Sequence, residues 1–354
     1  MKPLVIMITD THLKEENIQT VVDAFSEAMV EALSRDMTTV YCLGDVFESR
    51  KGQLSKLLSA FEDVLDLYQD NGVTLVSCVG NHDKTDYSHI YSFLSPFRHH
   101  PAFHLVSVYE TFQIDENTTF SLLSFFDDVL YLQYITKLKE QLAQESPGKR
   151  HLLGTHIGIS GVRMHSGEEF KSEKINKEIF SFFDSVYVGH FHDAGQYFNN
   201  VNYIGSAFQH NYGEDMDKGL SLINSYSKDG KDDFYCERIL LPSAPKYRKI
   251  EIAVNDITEK EIANLTTLKQ DYFNDHIRVV LVGTEAEIKS FDKSSLMSVG
   301  IDVKVKTNKI DRLEVESNVH MFDNENIKSQ FNIFCEKLSL DLVKGKSYLD
   351  KIVK

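Results

Sequence analysis

An α/β fold is the class this sequence predicts, and three observations predict it. Short apolar runs of strand length alternate with segments whose apolar residues repeat every three or four positions, opening strand, helix, strand, helix, strand. Blocks of Asp, Asn and His follow the ends of those runs, where open α/β sheets bind their ligands. A hydrophobic content of 42% and a charged content of 26% are those of a soluble globular chain, and 354 residues suggest two domains with room for a further terminal element.

Residues 4–8 form the first predicted strand. Lys2 ahead of them gives a passing likeness to a signal sequence, but the apolar run is too short and Asp10 follows at once. Val21, Val22, Phe25, Met29 and Leu33 mark a first helix, residues 39–43 a second strand, Leu54, Leu57, Phe61, Val64, Leu65 and Tyr68 a second helix, and residues 74–79 a third strand. Residues 120–125, 152–155 and 186–189 are further continuous apolar runs, as expected of strands buried on both faces. After a polar loop at 227–233, Pro242 and Pro245 break the chain. Strands at 247–254, 276–283 and 300–306, with helices at 258–270 and 285–296, then predict a small α/β cap domain over 241–316. The tail, 317–354, carries Ile327, Phe331, Phe334, Leu338 and Leu342 at helical spacing. No stretch approaches the roughly 18 apolar residues that span a bilayer, so no membrane is expected as a partner.

Five blocks carry the chemistry: Asp10-Thr11-His12, Gly44-Asp45-Val46-Phe47-Glu48, Gly80-Asn81-His82-Asp83, Gly154-Thr155-His156 and Gly189-His190-Phe191-His192. Each alone is weak, since a lone histidine near a loop is more often structural than a ligand. Together they offer only oxygen and imidazole donors, which suit Mn²⁺, Fe²⁺ or Zn²⁺. Two ions about 3.5–4 Å apart need a carboxylate between them. Asp45 is the natural bridge, because its strand neighbours the one ending at Asp10 and His12. Asp10, His12, Asp45 and His192 then hold one ion, and Asp45, Asn81, His156 and His190 the other. Gly44, Gly80 and Gly189 permit tight turns or close backbone approach there. Two such cations bind a phosphate ester, offset its developing charge and lower the pKa of a bridging water, so that hydroxide attacks phosphorus in line. His82 is left to hydrogen-bond the phosphate or protonate the leaving oxygen. Asp83 either orients His82 or caps the following segment.

With these blocks the chain resembles the calcineurin-like metallophosphoesterase superfamily over roughly residues 1–240. Within it the sequence looks most like the SbcD (Mre-eleven) branch of DNA double-strand-break repair nucleases, especially its compact phage members. The Asp10-Thr11-His12-Leu13 opening, Gly44-Asp45-Val46-Phe47, Gly80-Asn81-His82-Asp83 and Gly189-His190-Phe191-His192 carry that likeness. Tyr203-Ile204-Gly205-Ser206, Gly213-Glu214, Lys218-Gly219 and the Pro242 linker extend it. The resemblance implies a β-sandwich flanked by helices (four layers, α/β/β/α) over 1–240, followed by the cap and the helical tail. It also implies a manganese-dependent nuclease with exonuclease activity on DNA ends and single-strand endonuclease activity, partnered by an SbcC-type coiled-coil ATPase and commonly dimeric. Glu48 stands where some members carry His or Asp, and Lys14 where Gly is often found; neither change removes a metal ligand.

The net charge of −15 opposes duplex binding, which depends on Lys and Arg neutralising phosphates, so local basic segments or a partner must compensate. Candidate clusters are Lys246, Arg248 and Lys249; Lys304, Lys306, Lys309 and Arg312; and Lys337, Lys344, Lys346, Lys351 and Lys354 in the tail, although solvated faces carry such charges too. His165 is a candidate for the cleft wall and equally an ordinary exposed residue. Gly345-Lys346-Ser347 lacks the upstream glycine of a phosphate-binding loop, so ATP use belongs to the partner, for which the tail is a candidate docking element. Cys42, Cys78, Cys236 and Cys335 are widely spaced and fit a reducing cytoplasm.

Three other functions compete with the nuclease. A stand-alone phosphodiesterase for a small phosphoester is the main alternative, while a phosphoprotein phosphatase is disfavoured because Glu48-Ser49-Arg50 replaces Asp-Arg-Gly and Asn81-His82-Asp83 replaces Asn-His-Glu. A catalytically silent scaffold is opposed by the presence of both Asp45 and His82.

Overall fold

The computed structural model describes residues 2–163, 167–228 and 231–307. The chain opens with β1 (Lys2–Ile8), α1 (Ile18–Leu33), β2 (Thr39–Cys42), α2 (Ser55–Asp70), β3 (Thr74–Cys78) and β4 (Phe103–Val106). It continues through β5 (Tyr109–Asp115), β6 (Thr118–Leu123), α3 (Asp128–Glu145), β7 (Arg150–His156), β8 (Ser185–Gly189), β9 (Gly195–Tyr197) and β10 (Val201–Tyr203), and returns as the hairpin β11 (Leu220–Lys228) and β12 (Lys231–Ile239). Two six-stranded mixed sheets result, ordered β12-β11-β1-β2-β3-β4 and β5-β6-β7-β8-β10-β9. The strands β1 to β4 run parallel, as do β6, β7 and β8, so the carboxyl ends of each group lie along one edge of its sheet.

Side-chain alternation along β1 shows how the layers form. Ile6 and Ile8 pack with Val21, Phe25 and Met29 of α1 and Phe61, Val64 and Leu65 of α2. Val5 and Met7 face the other way, against Phe120, Leu122, Leu152 and Tyr187 of the second sheet. On the far side of that sheet, Tyr131, Ile135, Leu138 and Leu142 of α3 cover Leu153, Val186 and Val188. The order is helices, sheet, sheet, helix, as the resemblance implied. Each fully buried Phe, Leu or Ile contributes about 1.5–3 kcal/mol by leaving water.

A third sheet, β13 (Tyr247–Ala253), β14 (His276–Gly283) and β15 (Asp302–Thr307), carries α4 (Glu259–Asp271), α5 (Glu285–Ser290) and α6 (Ser294–Met297). Its own core contains Leu265, Ile277, Val279, Leu281, Ile288 and Leu296. It touches the rest of the chain where the Tyr247 N–H donates to Gln209 Oε1 at 2.9 Å.

Two expectations need correction. The polar loop expected at 227–233 is instead the turn end of a hairpin paired from Leu220↔Ile239 to Lys228↔Lys231; charged residues are the ordinary means of protecting such an edge, which hides the strand pattern. The single helix expected at 285–296 is broken, because the Asp292 carboxylate accepts the Ser294 N–H (2.9 Å) and hydroxyl (2.8 Å) and restarts the chain as α6. In the two candidate basic clusters, Arg248 pairs with Asp275 and lies over the Tyr272 ring, while Lys249 and Lys306 both reach Glu251. Lys309, Arg312, His165 and the tail 317–354 lie outside the described residues. No described helix is long and apolar enough to cross a membrane.

Candidate metal centre

The loops that leave β1, β2, β3, β7 and β8 converge, and they bring all seven expected ligands to one place. Asp10, His12, Asp45, Asn81 and His156 are almost fully buried, and His190 and His192 partly so. Four of the seven have backbone in the left-handed region: Asp10 (φ 52°), His12 (45°), Asp45 (52°) and His190 (88°). Such conformations cost on the order of 1–3 kcal/mol each in non-glycine residues and persist only where the surroundings over-determine them. Close packing of the loops enforces this. A Cβ on Gly44 would lie 2.5 Å from the Gly80 backbone nitrogen, and one on Gly80 2.2 Å from Asp45 Oδ1.

The donors sort into two groups that share Asp45. Asp10, His12 and Asp45 form one, with His12 Nε2 at 3.8 Å from Asp10 Oδ1, 3.7 Å from Asp45 Oδ2 and 3.1 Å from His192 Nε2. Asp45, His156 and His190 form the other, with His156 Nε2 at 3.2 Å from Asp45 Oδ2 and 3.0 Å from Asn81 Oδ1, and His190 Nδ1 at 2.9 Å from the same Asn81 oxygen. The far nitrogens of the rings are held from behind. His156 Nδ1 donates to the Leu43 carbonyl (2.8 Å) and His192 Nδ1 to Glu214 Oε1 (2.9 Å), while His12 Nδ1 lies 2.8 Å from Glu48 Oε2 at ion-pair distance but off the hydrogen-bond axis. Those contacts leave Nε2 of His12, His156 and His192, and Nδ1 of His190, facing inward.

These residues fit divalent cations on electrostatic grounds. Among the described residues, no Lys or Arg pairs with Asp10 or Asp45, although both carboxylates are buried. Burial would raise their pKa values, yet the facing imidazoles hold both lower. The imidazoles answer this demand for positive charge: burial alone would lower His12 and His156, but the carboxylates lift them to about 10 and about 9. Metal ions meet the same demand without protons.

A family model for calcineurin-like phosphoesterases matches residues 3–194, which contain all seven expected ligands from Asp10 to His192. The chain belongs to the calcineurin-like phosphoesterases. It is therefore a metal-dependent phosphoester hydrolase. Among curated relatives of this phosphoesterase, the putative phosphoesterase 244L of Invertebrate iridescent virus 6 is 24% identical over 301 residues, 83% of this chain and 98% of that protein. Exonuclease subunit 1 of Enterobacteria phage T4 is 23% identical over 197 residues, 55% of each chain. Solved structures with a similar trace include a dimetal phosphatase from Danio rerio (TM-score 0.43, 11% identity, 68% of this chain and 98% of that one) and the Pseudomonas putida nuclease MPE (TM-score 0.25, 12% identity, 55% and 65%).

The two expected catalytic residues separate. His82 is half-buried at the mouth of the site, its ring edge-on to His12 with centroids 4.7 Å apart. Its Nδ1 lies 2.6 Å from the Glu48 carbonyl and its Nε2 2.7 Å from Arg50 Nη2, which describes a neutral ring that donates at Nδ1 and accepts at Nε2. Burial lowers its pKa, against the pull of Asp45. Asp83 does not orient that ring. Its carboxylate accepts N–H groups from Asp45 (2.8 Å), Gly80 (2.9 Å) and Phe47 (3.0 Å), so it ties the second loop to the third and acts through the backbone of the bridging Asp45.

Three further residues belong to the site. Arg50 caps His82, and His210 donates to the Asp10 carbonyl (2.8 Å) with its ring 5.0 Å from His12 and 4.8 Å from His192. Glu214 is a hub: besides His192 it accepts the His210 N–H (3.0 Å) and the Asn211 amide (2.8 Å), and it lies 3.4 Å from Lys218 Nζ. Glu214 had a sequence signal only through the Gly213-Glu214 likeness; Arg50 and His210 had none, being single residues in polar loops.

Proposed function

We propose that this phosphoesterase is a two-metal DNA nuclease, acting on ends and on single strands, and that it works with an SbcC-type ATPase as a homodimer. The observation that carries the reading is the pair of donor groups sharing Asp45, with His82 beside them at the mouth of the site. The named exonuclease activity of the phage T4 relative supports nucleic acid as the substrate. Manganese is the proposed ion, since mixed oxygen and imidazole donors accept it readily.

Asp10, His12, Asp45 and His192 would hold one cation, and Asp45, Asn81, His156 and His190 the other. When bound, the pair supplies charge neutralisation at the phosphoryl oxygens and acidifies the attacking water. The protein's part is positional. Glu48 and Glu214 keep the rings of His12 and His192 from turning, and Asp83 fixes the Asp45 loop. Arg50 is drawn from His82 to an incoming phosphate oxygen, which frees Nε2 to take up a proton from solvent, in place of the one the attacking water gives up, and to pass it to the leaving oxygen as the P–O bond breaks.

The net charge of −15 favours a second reading, a phosphodiesterase for small esters that need no phosphate-tracking surface. Cleavage of end-labelled single-stranded and duplex DNA with Mn²⁺, with bis-p-nitrophenyl phosphate alongside and His82→Ala as control, separates the two. The nuclease reading expects metal-dependent DNA shortening that vanishes in the variant. Hydrolysis of the small diester with no DNA cleavage, even after the ATPase partner is added, would establish the second reading.

A further inference from the structure

A cleft of about 480 Å³ opens beside the second donor group, sharing Asn81 and His190 as part of its wall. We propose that it receives the unpaired base of the nucleotide next to the scissile phosphate. This rests on the nuclease reading above and specifies its substrate.

The lining matches that ligand in three ways. Tyr87, Phe125 and Phe170 present half-buried rings, held in place by packing and backbone contacts. Tyr87 and Phe125 pack edge to face at 5.0 Å, and the Phe125 N–H donates to the Val79 carbonyl (2.8 Å). Phe170 is fixed by a backbone exchange with Val162 (2.8 Å) and Gly161 (2.9 Å), and its ring lies where a Cβ on Gly158 would fall, 2.7 Å from Cζ. Preset rings of this kind lose little freedom when a base stacks on them.

Charge is the second match. Arg50, Lys171 and Lys174 line the cleft of a chain whose net charge is −15, together with the acidic Asp128 and Glu173. The cations suit the flanking phosphates. The Asp128 carboxylate, 3.4 Å from the Ser172 hydroxyl, has acceptor capacity for a base N–H. Size and position are the third. The volume suits one nucleotide, and the shared wall places its phosphate at the donors of the second ion. Paired bases within a duplex have both faces covered by neighbours, so stacking here requires a base splayed from its helix.

The test uses the full-length, Mn²⁺-loaded protein and three diesters: thymidylyl-thymidine and the two versions in which one thymidine is replaced by an abasic residue. Loss of the base on one side should lower kcat/KM on the order of tenfold, and loss on the other side should matter little. Phe170→Ala should erase that preference and Phe170→Tyr should restore it; Tyr87→Leu provides a second route should Phe170→Ala fail to fold. In a His82→Ala background, fluorescence of a 2-aminopurine dinucleotide should be quenched on binding, and the added Phe170→Ala change should abolish the quenching. Equal cleavage of all three diesters by the wild type would overturn the base site and leave the nuclease reading intact. Hydrolysis of bis-p-nitrophenyl phosphate with none of the dinucleotides cut would overturn both the base site and the nuclease.

Discussion

His82 has both ring nitrogens engaged, by the Glu48 carbonyl and by Arg50; its ring meets His12 edge-on, and its hydrogen bond to a candidate ligand comes from its backbone N–H, which donates to Asp45 Oδ1 at 2.8 Å. Truncating the ring therefore leaves the donor set in place. His82→Ala should retain both ions by elemental analysis while phosphodiester hydrolysis falls about 10²-fold or more, the usual worth of a positioned acid–base group; metal loss would reveal a ligand instead. Asp45→Ala is the opposite case, since both donor groups include its carboxylate, and unchanged two-metal occupancy would refute the bridge. Glu214→Gln probes the support behind His192. Its pKa is held down, to about 2, by His192 against the cost of burial, and neutralising it should weaken metal binding about 10–100-fold in a titration while the fold melts much as before. The convergence of the seven donors was legible because each closes an apolar run. Arg50 and His210 were not, because only tertiary contact distinguishes them from any polar loop residue.

At the scale of elements, β1, β2, β3, β7 and β8 matter because their carboxyl ends place the five loops within reach of each other. These strands were readable from continuous apolar runs, and α1 and α2 from a clean apolar stripe over a polar one. In contrast, α3 was not read at all. Its first half holds Val129, Tyr131, Tyr134 and Ile135, poor helix formers with apolar residues on more than one face, and its start depends on a local cap in which Asp127 accepts the N–H groups of Val129 (3.0 Å) and Leu130 (3.1 Å). Loop packing at the β2 and β3 ends gives a sharper prediction. Gly44 has φ +92° and faces the Gly80 backbone at a distance no Cβ tolerates, and that backbone cannot yield without moving Asp45. Gly44→Ala should cost on the order of 3 kcal/mol, lower the melting temperature by roughly 5 °C or more, and reduce metal content at the same time. A variant that melts normally and keeps both ions would show that the loops are looser than this packing implies.

For the whole molecule, the centre joins the two sheets: Asp10, His12, Asp45 and Asn81 leave the first, and His156, His190 and His192 the second. Ions bound there would bind the folded chain alone and stabilise it by mass action, so removing them should lower its thermal midpoint. The size of that effect must depend on pH. His12 and His156 have folded pKa values raised to about 10 and about 9, above the ordinary imidazole value near 6.5 of the unfolded chain. A raised histidine contributes stability that is complete below the unfolded value and lost as pH climbs through the folded one, so the metal-free protein should weaken from pH 7 to 8.5. His190 and His210, lowered to about 4 and about 3 chiefly by burial, are already neutral across that window in both states and do not oppose the trend. Cations displace the two protons, so the metal-loaded protein is spared this loss and the gap between loaded and metal-free midpoints should widen as pH rises. Calorimetric titration with Mn²⁺ in two buffers of different ionisation enthalpy supplies the direct check at pH 7.5. Release of one to two protons on filling the centre supports the argument, and heats independent of buffer would mean that the imidazoles are already neutral and that the buried carboxylates are balanced by some other charge.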